Sequence, residues 1–169
     1  TIVLPSTKLT RKTAVSPPRS PYTPTLSVHL LGSFRVYAYE QIVTQWVGNK
    51  SKSVFKFLVM QHPAPVQRDV LMTQFWPDDT PETARRNLYQ VIYLIRQALQ
   101  TAVSDFPCLL SEDGAYRLNP ALHLWVDCVM FETHLQQGHA CLAEQDLAGA
   151  QHRFELASEL YEGDLLGED

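Results

Sequence analysis

The chain has 169 residues, 45% of them hydrophobic, and a formal net charge of −4. That length suits one large domain or two small ones, and no apolar run approaches the roughly 18 residues of a membrane-spanning helix. No apolar stretch follows the early Lys and Arg, so neither a signal peptide nor a membrane partner is expected.

The charge is divided. Residues 1–100 carry 12 Lys/Arg against 5 Asp/Glu, a net +7, and residues 101–169 carry 2 against 13, a net −11. Such asymmetry suggests two modules with different partners, the basic half suiting a polyanion. The acidic half is equally compatible with solvated helices. Cys108, Cys128 and Cys141 are odd in number and widely spaced, which fits small buried hydrophobes in a reducing, cytoplasmic compartment rather than a disulfide framework.

Residues 1–25 contain Pro5, Pro17, Pro18, Pro21 and Pro24, many Ser and Thr, and only positive charges. This composition predicts a disordered or extended linker. With Thr1 in place of a Met and an abrupt end after Leu165-Leu166-Gly167-Glu168-Asp169, the chain is read as part of a longer protein. Leu26, Val28 and Leu30, then Phe34 and Val36, alternate around Gly32 and predict two short strands with a bend. Residues 38–48 are ambiguous and are read as continuing a small sheet toward Trp46-Val47.

Val54, Phe55, Leu58 and Val59 have helical spacing, with Ser51 or Ser53 as a possible cap and His62-Pro63 as the end. Pro65-Val66-Gln67 reads as extended. Arg68 to Trp76 forms a second short helix, and Pro77-Asp78-Asp79 turns the chain into residues 81–99. There Thr80 can serve as N-cap, Pro81 takes the first helical position and Glu82 suits the helix dipole. Ala84, Leu88, Ile92, Ile95 and Leu99 line one face. The opposite face carries Arg86, Asn87, Gln90, Tyr93 and Gln97, with Arg85 and Arg96 at its flanks. These side chains suit base edges and phosphates in a DNA major groove. A solvated surface helix has the same pattern.

Farther on, Cys108-Leu109-Leu110 and Ala115-Tyr116-Arg117-Leu118 flank Ser111-Glu112-Asp113-Gly114. An Asp-Gly pair between apolar runs is a strong hairpin signal. Sheet, helix, helix–turn–helix and hairpin in that order spell a winged helix, with 81–99 as recognition helix and 109–118 as wing. From Asp127, a possible cap, Phe131, Leu135 and Leu142 share one helical face. Asp146 can cap another helix carrying Ala150, Phe154, Ala157 and Tyr161. The pair is similar to a tetratricopeptide (TPR)-like helical hairpin, and further repeats are expected to cover its outer face.

Taken together, several motifs resemble bacterial regulators of the antibiotic-regulatory (SARP) class. They are Leu30-Leu31-Gly32-Ser33-Phe34-Arg35-Val36, Val66-Gln67-Arg68-Asp69 with Phe75-Trp76-Pro77-Asp78, and Ala84-Arg85-Arg86-Asn87-Leu88 with Leu94-Ile95-Arg96-Gln97-Ala98-Leu99. Gly114-Ala115-Tyr116-Arg117-Leu118, Val126-Asp127 with Phe131-Glu132, and Leu160-Tyr161-Glu162-Gly163-Asp164-Leu165-Leu166 complete the set, which spans residues 26–169. The resemblance implies an α+β winged helix-turn-helix of the OmpR/PhoB type over 26–120. It also implies, over 121–169, the first helical pair of an all-α, TPR-like bacterial transcriptional activator domain (BTAD). It implies double-stranded promoter DNA as partner, with RNA polymerase and a second copy of the chain as further partners. The residues carried over as DNA contacts are Arg85, Arg86, Asn87, Gln90, Tyr93 and Arg96. Lys50, Lys52 and Lys56 are candidates for backbone phosphates near the first helix, with a solvated role as the alternative. Two positions depart from the class. The wing tip carries Glu112-Asp113 where a basic residue is common, and Leu94 stands where a second basic residue is common late in the helix. The alternative is a degenerate winged helix acting as a protein–protein interaction module.

An enzyme is not expected. The chain has no Gly-rich phosphate loop, no His-Glu-x-x-His and no Gly-x-Ser-x-Gly. No cofactor is implied, and His134, His139, Cys141 and His152 would have to converge to hold a metal.

Overall fold

The computed structural model describes residues 25–163 and Leu165; the Pro-rich segment read as a linker lies, but for Thr25, outside them. In chain order the elements are β1 (Thr25–His29), β2 (Arg35–Ala38), β3 (Gln41–Ile42), α1 (Asn49–Gln61), β4 (Val66–Gln67), α2 (Arg68–Phe75), α3 (Pro81–Gln100), β5 (Leu109–Glu112), β6 (Ala115–Leu118), β7 (His123–Val126), α4 (Asp127–Ala143) and α5 (Leu147–Leu160). Two sheets frame the core. One has the order β3-β2-β1-β7, and the other has the order β4-β6-β5. Leu26, Val28 and Val36 of the first sheet belong to one buried hydrophobic cluster with residues of α1 and α3. Val54, Phe55 and Leu58 of α1 and Leu88, Ile92 and Ile95 of α3 are among its helical members. The chain reverses between β1 and β2 at Gly32, whose φ of +86° is the left-handed conformation that a side chain disfavours.

Beyond β2 the sheet continues only through β3 and does not reach Trp46-Val47. Strand pairing stops after Gln41–Ile42, because Trp46 leaves the ladder to pack on Phe34 and Phe55, at ring centroid distances of 5.3 and 4.9 Å. Neither Ser51 nor Ser53 caps α1. The helix starts two residues earlier, after Gly48, and the buried Ser51 hydroxyl donates back to the Val47 and Gly48 carbonyls.

β7 was not foreseen. Its four residues pair in parallel with β1, in register Leu26–Leu124 and Val28–Val126. The segment leading into the helical pair is thereby part of the first sheet. Asp127 begins α4 without capping it in the usual sense. Its carboxylate, 2% exposed, accepts hydrogen bonds from the backbone N–H of Leu30 at 2.8 Å and of Leu31 at 3.0 Å. It also accepts one from Cys128 N–H at 2.7 Å. The end of β1 would otherwise leave two buried donors unpaired.

α4 and α5 form an antiparallel hairpin. Asp146 caps α5 by accepting from Gly149 N–H at 2.9 Å. The contact face differs from the expected one: Leu142 is exposed, and Gly138 is buried. Gly138 gives Phe154 its place, since a Cβ there would lie 2.5 Å from the ring. The chain after α5 returns to the β1–β2 turn. Leu31 and Leu165 form a β-bridge, Arg35 pairs with Glu162, and a Cβ on Gly163 would approach Gly32 Cα to 3.2 Å. Among the described residues, no helix is long and apolar enough to cross a membrane.

Candidate nucleic-acid interface

α3 is the element that could meet a partner, and its start is well defined. Thr80 Oγ1 accepts from Thr83 N–H, and Pro81 occupies the first turn, where its missing N–H costs nothing. Twenty residues make a rod about 30 Å long. Ala84, Leu88, Val91, Ile92, Ile95, Ala98 and Leu99 are buried, which fixes the rotation of the helix and so decides what faces outward. Two rows do. One is Arg85, Tyr89, Tyr93 and Gln97, each four residues after the last, and the other is Glu82, Arg86 and Gln90.

Within those rows the side chains differ in what they already hold. Arg85, Arg86 and Gln90 are exposed and make no hydrogen bond or ion pair among the described residues. Tyr93 is 58% exposed, and its hydroxyl accepts from Gln97 Nε2 at 2.7 Å, which stiffens two neighbouring polar groups on one surface. Asn87, only half exposed, is turned back along the helix and donates to Asp79 Oδ2 at 2.9 Å. Arg96 faces the wing strand, half-buried, with its Nε 3.4 Å from the Leu109 carbonyl.

The candidate lysines are placed apart from these rows. Lys50 donates to the Phe75 carbonyl at 3.0 Å, at the C-terminal end of α2, where the helix dipole favours a cation. It also lies 5.7 Å from the centroid of the Trp76 ring. Lys52 is half-buried on α1. Lys56 is buried, its ammonium 5.0 Å over the Phe34 ring, which explains its burial better than a phosphate does.

Tyr89 was missed in the sequence reading. It is 49% exposed, and its hydroxyl accepts from Arg68 at 3.4 Å, linking α3 to the start of α2. The signal was available: Tyr89 stands four residues from both Arg85 and Tyr93.

The wing is a tight hairpin. Asp113 and Gly114 have φ of 49° and 75°, both left-handed as a type I′ turn requires. Arg117 pairs with Glu112 at 2.7 Å, so the one basic side chain of the wing is neutralised by its neighbour. The tip is tied to the helix–turn–helix through Arg68 N–H, which donates to the Gly114 carbonyl at 2.9 Å. Cys108 is buried at the start of the hairpin, and desolvation pushes its thiol up to about 11, so it stays protonated and unreactive. Among the described residues no group of three His, Cys, Asp or Glu side chains could hold a metal ion.

No protein-family model and no curated protein sequence matches the chain. Among solved structures, that of Mycobacterium tuberculosis EmbR in complex with a low affinity phosphopeptide is similar, with a TM-score of 0.72 at 24% identity. The match covers 86% of this chain and 38% of that one. The likeness supports a shared winged-helix fold. The present chain thus spans well under half the length of that protein.

Proposed function

We propose that the chain is the DNA-binding part of a cytoplasmic transcriptional regulator of the SARP kind, with α3 as the recognition helix. The observation that carries the reading is the outward face of α3. Arg85, Arg86 and Gln90 stand unengaged beside Tyr89 and Tyr93, on a helix whose other face is locked into the core. A B-DNA major groove about 12 Å wide admits such a helix. In this reading Arg86 takes phosphate, Arg85 takes phosphate or guanine, Gln90 reads a base edge, and the tyrosine hydroxyls reach phosphate. Asn87 joins them by exchanging Asp79 for an adenine. Arg96, Lys50 and Lys52 act around the site, Lys50 by holding the end of α2 near the turn into α3. The α4–α5 hairpin is the first pair of a TPR-like activator domain, and its outer face serves assembly with further helices, RNA polymerase or a second copy.

The interaction-module reading rests on one specific feature. A wing tip made of Asp113 and the paired Glu112 offers phosphate no cation and would be repelled by the minor groove. The two readings separate when the 169-residue chain is mixed with a pool of random labelled duplexes. Regulator behaviour is enrichment of a defined site by the unaltered chain and its loss in Arg86→Glu. Equal retention of all duplexes by both proteins, or of none by either, would favour the interaction module.

A further inference from the structure

The C-terminal half of α3 and the first strand of the wing enclose a cleft of which the DNA reading uses Arg96 alone. Its volume is about 320 Å³. Leu99, Phe106, Cys108 and Leu109 give it apolar walls, while Arg96, Gln100 and Ser111 supply polar groups. Arg96 is the only charged residue among those lining it.

We infer that this cleft binds a small planar aromatic carboxylate, with Arg96 as the anion anchor. Three observations converge. Arg96 spends only its Nε, on a long 3.4 Å contact to the Leu109 carbonyl, so the outer guanidinium nitrogens, which have no partner among the described residues, present the fork that a carboxylate accepts in pairs. Apart from Gln100 and Ser111 the remaining wall is apolar, with an aromatic ring from Phe106, which rewards a flat hydrophobic body rather than a second anionic group. A cavity of about 320 Å³ lies at the lower limit of ligand pockets, room for one or two rings. The polar end is completed by Gln100 and by Ser111, which lies opposite Tyr116 across the hairpin. A nucleic-acid phosphate fits poorly, since Arg96 is the only cation among the lining residues and gives it no further counter-charge. The inference goes beyond the proposed DNA contacts and stands whether or not they are made. The ligand would touch both the recognition helix and the wing, so its occupancy would bear on their relative position.

The test is a titration of the isotope-labelled 169-residue chain, followed by its amide resonances, with 1-naphthoate and in parallel with uncharged 1-naphthalenemethanol. Naphthoate should give saturable shifts grouped within residues 96–111, and the alcohol should bind about tenfold more weakly for want of the charge-assisted pair. Arg96→Gln should bring naphthoate down to the level of the alcohol, and Arg96→Lys should recover part of the difference. The unaltered chain's two-ligand comparison decides the matter even if a variant folds badly. The inference is overturned by naphthoate and alcohol binding equally, by an absence of saturable shifts in 96–111, or by shifts confined to α4 and α5.

Discussion

Asp127 shows how much one carboxylate does here. It is buried and satisfies the N–H groups of Leu30, Leu31 and Cys128 at once. Asp127→Ala leaves two strand-end donors without a partner, and unfolding in urea should show a loss of about 3 kcal/mol. Asp127→Asn, which keeps one acceptor oxygen, should lose distinctly less. A loss no larger than that of a surface substitution would contradict the bonding described. Close by, burial lowers the pKa of His29 below its ordinary 6.5 against the pull of Asp127. The folded state then binds fewer protons than the unfolded one, so stability is full above the unfolded value and is lost as pH falls below about 6.5. Urea midpoints at pH 7.5 and 5.5 should differ in that direction, and His29→Gln should narrow the gap. On α3, Gln90→Ala should relax preference at a single base pair of an enriched site by about 1–3 kcal/mol, whereas Arg86→Gln should weaken all sequences alike. Equal and uniform effects in a binding comparison would remove the base-reading role from Gln90.

At the level of elements, α3 owes its start to Thr80. Thr80→Ala should cost about 1 kcal/mol of stability in the same urea assay. That helix was legible in the sequence because its signals are local: a cap, a proline at the first position and an apolar row every three or four residues. The Asp113-Gly114 wing and the Asp146 cap of α5 were legible for the same reason. What escaped the sequence depends on distant partners. β7 is four residues whose pairing with β1 reaches across almost a hundred positions, and the partners of Asp127 lie 97 and 96 residues away. The α4 face was misread because Gly138, which carries no hydrophobic signal, is the residue on which Phe154 packs. Gly138→Ala should overpack that contact and destabilise by about 1–3 kcal/mol. On the candidate interface, helical spacing placed Arg86, Gln90 and Tyr93 on an outward face. It could not tell that Asn87 turns to Asp79 or Arg96 to the wing strand, since both depend on where a second segment lies.

Across the whole molecule, the helical hairpin is fastened to the winged helix at two points of the same turn. Asp127 holds the start of α4 to the end of β1. Arg35–Glu162 and the Leu31–Leu165 bridge hold the segment after α5 to the same loop. Gly32 and Gly163 allow that close approach, and a load on the hairpin is thereby passed to the sheet that backs α1 and α3. The charge division follows the same plan, with a basic half presenting α3 and an acidic half presenting the hairpin. The most direct measurement is the salt dependence of binding to an enriched duplex, followed by fluorescence anisotropy for the unaltered chain and for Arg86→Gln. The proposed interface predicts log K falling linearly with log salt, and a slope shallower by about 0.9 once Arg86 no longer displaces a counterion. A slope near zero, or one that Arg86→Gln leaves unchanged, would contradict the placement of α3 on DNA.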